Sequence, residues 1–201
     1  MSAELNNYIP GDPLGVISYS SVSGSVSGVN AIGGLAGFNG GEIKNSSASV
    51  KVSAEQIYVD GHYLGGTSAG GLTGLHAGIV YASFSEGNVT GLSYIGGLVG
   101  FIDTDRRLPR KGIVSQSFAT GNVSGENHIG GLVGYADLRL GGEVTYSFAT
   151  GKVSSEGDRL GGLIGTNSNS SNRYRPFHRT DDRPECLDSS CTSWILSRPG
   201  S

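Results

Sequence analysis

Apolar residues recur along this chain in a fixed order, spaced by Ser, Thr and Gly, and the order runs through five times. An Ile or Val slot (Ile17, Ile43, Val80, Val114, Val144) leads to a Val slot (Val26, Val52, Val89, Val123, Val153). A Leu slot follows (Leu35, Leu72, Leu98, Leu132, Leu163), set inside a hexapeptide of the type Ile129-Gly130-Gly131-Leu132-Val133-Gly134. Further copies of the hexapeptide stand at Ile32–Gly37, Ala69–Gly74, Ile95–Gly100 and Leu160–Gly165. Their first glycines are 37, 26, 34 and 31 residues apart. A period of this size is one supersecondary unit repeated. The 26-residue step is the bare unit. Longer steps add residues between Val52 and Gly70, between Gly100 and Val114, before Val144 and after Val153. Insertions thus fall at two tolerant corners.

No window places apolar residues at i, i+3, i+4 and i+7 over helical lengths. Val, Ser, Thr and Gly favour strands, turns and tight corners instead. Over Ser117 to Ser124, alternation puts Ser117, Ala119, Gly121 and Val123 on one face and Phe118, Thr120 and Asn122 on the other. The small face suits the inside of a narrow coil; Phe84, Phe118 and Phe148, with Ser21 and Ser47 in the same slot, would then stack outside. Parity alone leaves the reverse open. Ile129 and Leu132 are three apart, so one straight strand cannot bury both. The Gly-Gly pairs between such residues (Gly33-Gly34, Gly70-Gly71, Gly96-Gly97, Gly130-Gly131, Gly161-Gly162) are the expected corners, since Gly accepts positive φ and close backbone approach. Such units bury their apolar slots only by stacking on one another. The expected fold is all-β, a repeat β-solenoid (parallel β-helix-like) of about five coils, roughly 24 Å long at about 4.8 Å per strand. Propeller blades are the runner-up, but they need about 40 residues per unit.

Of 201 residues, 35 are Gly and only 15% are charged, and there is no collagen period. A net charge of −3 offers no electrostatic attraction for nucleic acid. No stretch reaches the ~18 apolar residues of a membrane span. Residues 1–15 form a Pro/Gly-containing lead-in without the pattern of a signal peptide. Residues 16–165 hold the repeats, and residues 166–201 break the pattern with a Ser/Asn linker and an Arg/Pro/Asp-rich tail expected to be disordered. Both cysteines, Cys186 and Cys191, lie in that tail and would close a small ring in an oxidising compartment. A stack leaves strand edges open at both ends. We therefore expect a fragment of a longer array that self-associates end to end or frays at its terminal units.

Gly-Gly-Leu-Val-Gly, a short loop, Ile or Val, then Ser-Phe-Ala-Thr-Gly-x-Val resembles the GLUG repeat, most clearly at Val114–Gly134 and Val144–Gly165. Copy two departs most, with Val50 in the Gly slot and Ala69 in the Ile slot. GLUG repeats occur in bacterial surface and secreted proteins, including adhesin-like chains. The resemblance implies an extracellular or cell-surface location and a non-enzymatic structural or adhesive role. It carries over no catalytic residue and no cofactor.

The residues themselves agree on the chemistry. A metallopeptidase helix is missing, and His62, His76, His128 and His178 are dispersed without the spacing of zinc ligands. His128 shares its slot with Ala31, Tyr94 and Arg159 and reads as an outward-facing variable position. Between Ile57 and Leu64, Asp60-Gly61 separates two β-prone runs, the signal of a type I′ hairpin. It would bring Tyr58 and Tyr63 together beside His62 as contacts for a host or matrix glycan or protein. In a second insert, Asp103, Asp105, Arg106 and Arg107 could serve a β-helical carbohydrate-active enzyme, a lyase or hydrolase, which is the alternative reading. A solvated charged loop explains them as well. Sequons at Asn45, Asn88, Asn122 and Asn169 follow the repeat. The row Ser23, Ser49, Glu86, Thr120, Thr150 is spoiled for ice binding by its glutamate.

Overall fold

The computed structural model describes residues 15–59, 62–104 and 111–168, all within one compact unit, Met1–Asn169. Every element among them is a strand. Each repeat makes one pass through four sheets, here termed a rung. In rung 4 the pass runs through Ile113–Ser115 (sheet A), Phe118–Ala119 with Val123–Gly125 (sheet B), Asn127–Gly130 (sheet C) and Val133–Asp137 (sheet D). Pairing is parallel and strictly between neighbouring rungs, as in Ile43↔Val80↔Val114↔Val144. Sheets A, C and D each contain five strands, one per rung. The result is β-helix-like: parallel sheets stacked around a common core.

The apolar slots face inward as alternation requires. Ile43, Val80 and Val114 in sheet A are fully buried, as are Val52, Val89, Ile95, Ile129, Leu72, Leu98 and Leu132 in the inner rungs. Ser117, Ala119, Gly121 and Val123 form the buried side of sheet B. The Phe row lies outside and stacks along the axis, with centroids 4.8 Å apart for Phe84–Phe118 and 5.0 Å for Phe118–Phe148. In rungs 3 to 5 sheet B breaks at the Gly of the Ala-Thr-Gly slot or its equivalent. In rung 2, Val50 fills that slot and is buried, and the strand Ser47–Ala54 runs through unbroken.

The chain bends at the second glycine and the Leu, for example Gly131-Leu132. None of the ten paired glycines has positive φ, which corrects the first of the two reasons for expecting Gly there. Close approach is the whole reason. A Cβ on Gly131 would sit 2.2 Å from the Gly162 carbonyl oxygen of the next rung, and one on Gly96 would sit 2.0 Å from Val99 O. Positive φ belongs instead to two rows of other residues. Tyr19, Asn45, Ala82, Gln116 and Tyr146 turn the chain from sheet A to sheet B. Ala31, Ser68, Tyr94, His128 and Arg159 kink sheet C.

Each residue of the first row is followed by a serine, and the serines form a ladder. The Ser46, Ser83 and Ser117 Oγ atoms donate to the carbonyl two residues back at 2.9, 2.9 and 2.8 Å. Each accepts the N–H of the preceding rung's serine at 3.2, 3.1 and 3.2 Å. Asn88 and Asn122 do the same on the outer surface, their Oδ1 atoms accepting the next rung's N–H at 2.9 Å each. Two of the sequons are thus part of the stacking.

One boundary differs from expectation. Residues 166–168 are not linker: strand Ile164–Ser168 continues sheet D, pairing Tyr135↔Thr166 and Asp137↔Ser168. The tail beyond, with Cys186 and Cys191, lies outside the described residues.

Candidate functional site

Two corners of the rung carry the insertions. Between sheets B and C, rung 2 extends into an antiparallel hairpin, Gln56–Val59 with His62–Gly65. Tyr58 and Tyr63 are Cα partners across it, and Val59 pairs with His62. Two residues separate the paired ends, as a two-residue turn requires; Asp60 and Gly61 themselves lie outside the described residues. Tyr58 is 64% exposed, and Ile57, Val59 and Leu64 are exposed beside it. At the hairpin base, Gly66 O accepts Leu92 N–H at 2.6 Å, fixing the hairpin to rung 3.

Between sheets D and A lies the charged insert. Asp103 is half-buried and its N–H donates to His76 O at 2.8 Å. Asp105, Arg106 and Arg107 lie outside the described residues. Sequence reading missed Asp137 and Arg139, which stand at the same corner one rung on. Asp137 is 5% exposed; its carboxylate accepts Arg139 Nε at 2.7 Å and Arg139 N–H at 3.2 Å, and a second guanidinium bond from Nη2 completes a forked pair. Burial pushes the Asp137 carboxyl up, but the Arg139 bonds outweigh it and leave it below the usual carboxylate range. The Asp103 charge also acts on Arg139. The arrangement is a closed ion-pair cluster. Of the two predicted groups, Tyr58 and His62 stand on an insert at the B–C corner and Asp103 at the D–A corner.

Two histidines are built into the stack. His76 is fully buried; its Nδ1 accepts Asn39 Nδ2 at 3.2 Å and its Nε2 donates to Ile113 O at 3.1 Å. Burial holds it neutral, with its pKa lowered to about 4 despite that backbone bond. His128 corrects the outward-facing expectation. It is 5% exposed, stacks on Tyr94 at 4.9 Å, and bonds Thr166 Oγ1 through Nδ1 at 2.8 Å. Burial, then the Arg159 charge, lowers its pKa to about 4. Tyr94, Phe101 and Tyr135 complete this second, aromatic cluster, with Phe101 and Tyr135 stacked at 5.0 Å. A metal finds no seat here: among the described residues no three of His, Cys, Asp and Glu converge.

Outside the B–C corner of rungs 3 to 5 runs a groove of about 350 Å³. Thr90, Ser124 and Ser154 line it in register, with Glu126 and Glu156 beside them. In the Phe row, parallel stacking covers both ring faces of Phe118 and leaves Phe148 exposed at its end.

The fold and these corners define a repeat protein of parallel sheets stacked on an apolar core, with serine and histidine hydrogen bonds running between rungs. The GLUG motif family matches residues 28–53 and 125–154. Each match is one circuit, from the end of one sheet-B strand through sheets C, D and A to the next. No curated protein and no solved structure matches the chain. No helix among the described residues is long and apolar enough to cross a membrane.

Proposed function

We propose that residues 16–168 are a five-coil β-solenoid segment of a bacterial surface or secreted protein. Its role is structural or adhesive, and it presents its corner inserts to protein or glycan partners. One observation carries this reading. The serine row and His76 spend their hydrogen bonds on other rungs, while Tyr58, Ile57, Val59 and Leu64 stand exposed on a hairpin anchored at its base. Rigid support under an exposed aromatic insert is the arrangement of a display scaffold. Glycan and host-protein arrays probed with the recombinant chain test it. Binding that Tyr58→Ala reduces at least tenfold, with melting unchanged, supports the reading.

The groove gives the alternative, a carbohydrate-active enzyme, its one foothold. Glu126 and Glu156 line it from adjacent rungs, and a pair of carboxylates is what glycoside hydrolysis requires. Polysaccharide cleavage that Glu126→Gln abolishes would replace the scaffold reading.

A further inference from the structure

The bonds between rungs repeat with a direction. Phe84, Phe118 and Phe148 N–H donate back to Ser46, Ser83 and Ser117 O at 3.1, 3.2 and 3.3 Å. Glu86, Thr120 and Thr150 N–H donate back to Ala48, Ser85 and Ala119 O at 3.0, 2.9 and 3.0 Å. Forward bonds run from Val52, Val89 and Val123 to Asn88, Asn122 and Lys152 O at 2.9 Å each. They also run from Leu35, Leu72, Leu98 and Leu132 to the next Leu O at 2.9 Å each. Among the described residues no strand lies beyond rung 1 or rung 5. Rung 1 therefore turns outward the N–H groups of Ser21 and Ser23 and the carbonyls of Ser25 and Leu35. Rung 5 turns outward the carbonyls of Ser147 and Ala149 and the N–H groups of Val153 and Leu163. Set one rung apart, the two faces match donor to acceptor.

Three further observations point the same way. A Cβ on Gly34, Gly71, Gly97 or Gly131 would meet the next rung's carbonyl at 2.1–2.3 Å, but on Gly162 it meets nothing within 4 Å. That seat is shaped for a carbonyl. Leu163 is 38% exposed where Leu132 is fully buried, so the core runs open onto rung 5's outer face. Rung 1, residues 15–41, contains no charged residue and no proline, and its sheet-B strand Ser21–Gly28 is eight residues long. Soluble sheets guard their edges with charge, proline or bulges; this edge is built to be paired. Continuing the rows would place Lys152 beside Ser25, Arg159 beside Ala31 and Glu143 beside Val16, with no like charges opposed.

We propose that rung 1 of one chain seats on rung 5 of a second copy, head to tail, so that the four sheets run on through the junction. Such a contact does not close on itself and grows into rods. The inference extends the scaffold reading, but its test involves no ligand, so the two stand or fall separately.

Sedimentation velocity and electron microscopy of the full chain over a range of concentrations test it. The expected result is concentration-dependent growth beyond the dimer. Gly162→Ala removes the carbonyl seat without touching any other described residue, and Ser23→Pro removes an outward N–H that serves no neighbour among the described residues. Each variant should stay monomeric and melt as the dilute wild type does. Their equimolar mixture keeps one intact face of each kind and should stop at dimers. Monomeric wild type at every concentration overturns the proposal. So does growth of Gly162→Ala equal to wild type, or a mixture of folded variants that stays monomeric.

Discussion

Serine occupies two slots of the stack with opposite consequences. Ser83 and Ser117 each give and receive a bond in the ladder. Ser85 Oγ is fully buried with no partner, in a sheet-B row otherwise filled by Val22, Ala48, Ala119 and Ala149. A buried unpaired hydroxyl carries a desolvation penalty of about 1–3 kcal/mol. Ser85→Ala should therefore raise the free energy of unfolding in urea by an amount of that order, while Ser117→Ala lowers it by about 1–3 kcal/mol by stripping a partner from Ser83 N–H. Backbone strain gives a second residue-scale test. Ala82 holds φ at 47°, where a Cβ is unfavourable and glycine is not. Ala82→Gly should stabilise by about 0.5–1 kcal/mol once the added freedom of the unfolded chain is subtracted. The same φ falls on Tyr19, Asn45, Gln116 and Tyr146. No residue type marks that row, which is why sequence reading missed it. The constant serine one residue later was the available signal.

At the scale of elements, one glycine slot separates the inside of the stack from its end. The Gly131 Cβ position meets Gly162 O at 2.2 Å and the Ala149 Cβ at 2.9 Å, both too close to accommodate without moving backbone. Gly131→Ala should cost about 3 kcal/mol or more, within the range of overpacked or strained core substitutions, and Gly162→Ala almost nothing in the dilute monomer. Paired chemical denaturation curves read this directly; equal losses would show that the second glycine is needed for its own backbone and not for its neighbour. The repeat, its division into two faces and the Tyr58–Tyr63 pairing were legible, because each follows from local spacing of apolar, small and turn residues; which face turns inward was not, since alternation alone is symmetric. Asp137, Arg139 and the burial of His128 were not. Tyr135 to Glu143 reads as a loop of mixed residues, and His128 is covered by Tyr94 and Tyr135, residues of a neighbouring rung and a neighbouring sheet. Contacts between rungs depend on register, and a single unit does not display it.

For the whole molecule, the two stacked histidines make stability depend on pH in the mildly acid range. Both are held neutral in the fold, His76 chiefly by burial and His128 by burial and then the Arg159 charge, with pKa lowered from 6.5 to about 4. In the unfolded chain they take a proton near pH 6.5. Between those values the unfolded state binds protons that the fold refuses, so stability is complete above pH 6.5 and falls as pH drops toward 4. At about 1.4 kcal/mol per pH unit, His76 alone accounts for roughly 3 kcal/mol over that interval. The His76 network ties Asn39 of rung 1 to Ile113 of rung 4, so losing it loosens the D–A corner along most of the stack. His76→Ile, which places in that row the residue rung 3 carries as Ile102, removes the proton site and keeps the buried volume apolar. Melting temperatures from pH 7.5 to 4.5 should fall steadily for the wild type and markedly less for His76→Ile, the remainder coming from His128. An identical pH profile for the two would place the acid sensitivity elsewhere and remove His76 as its source.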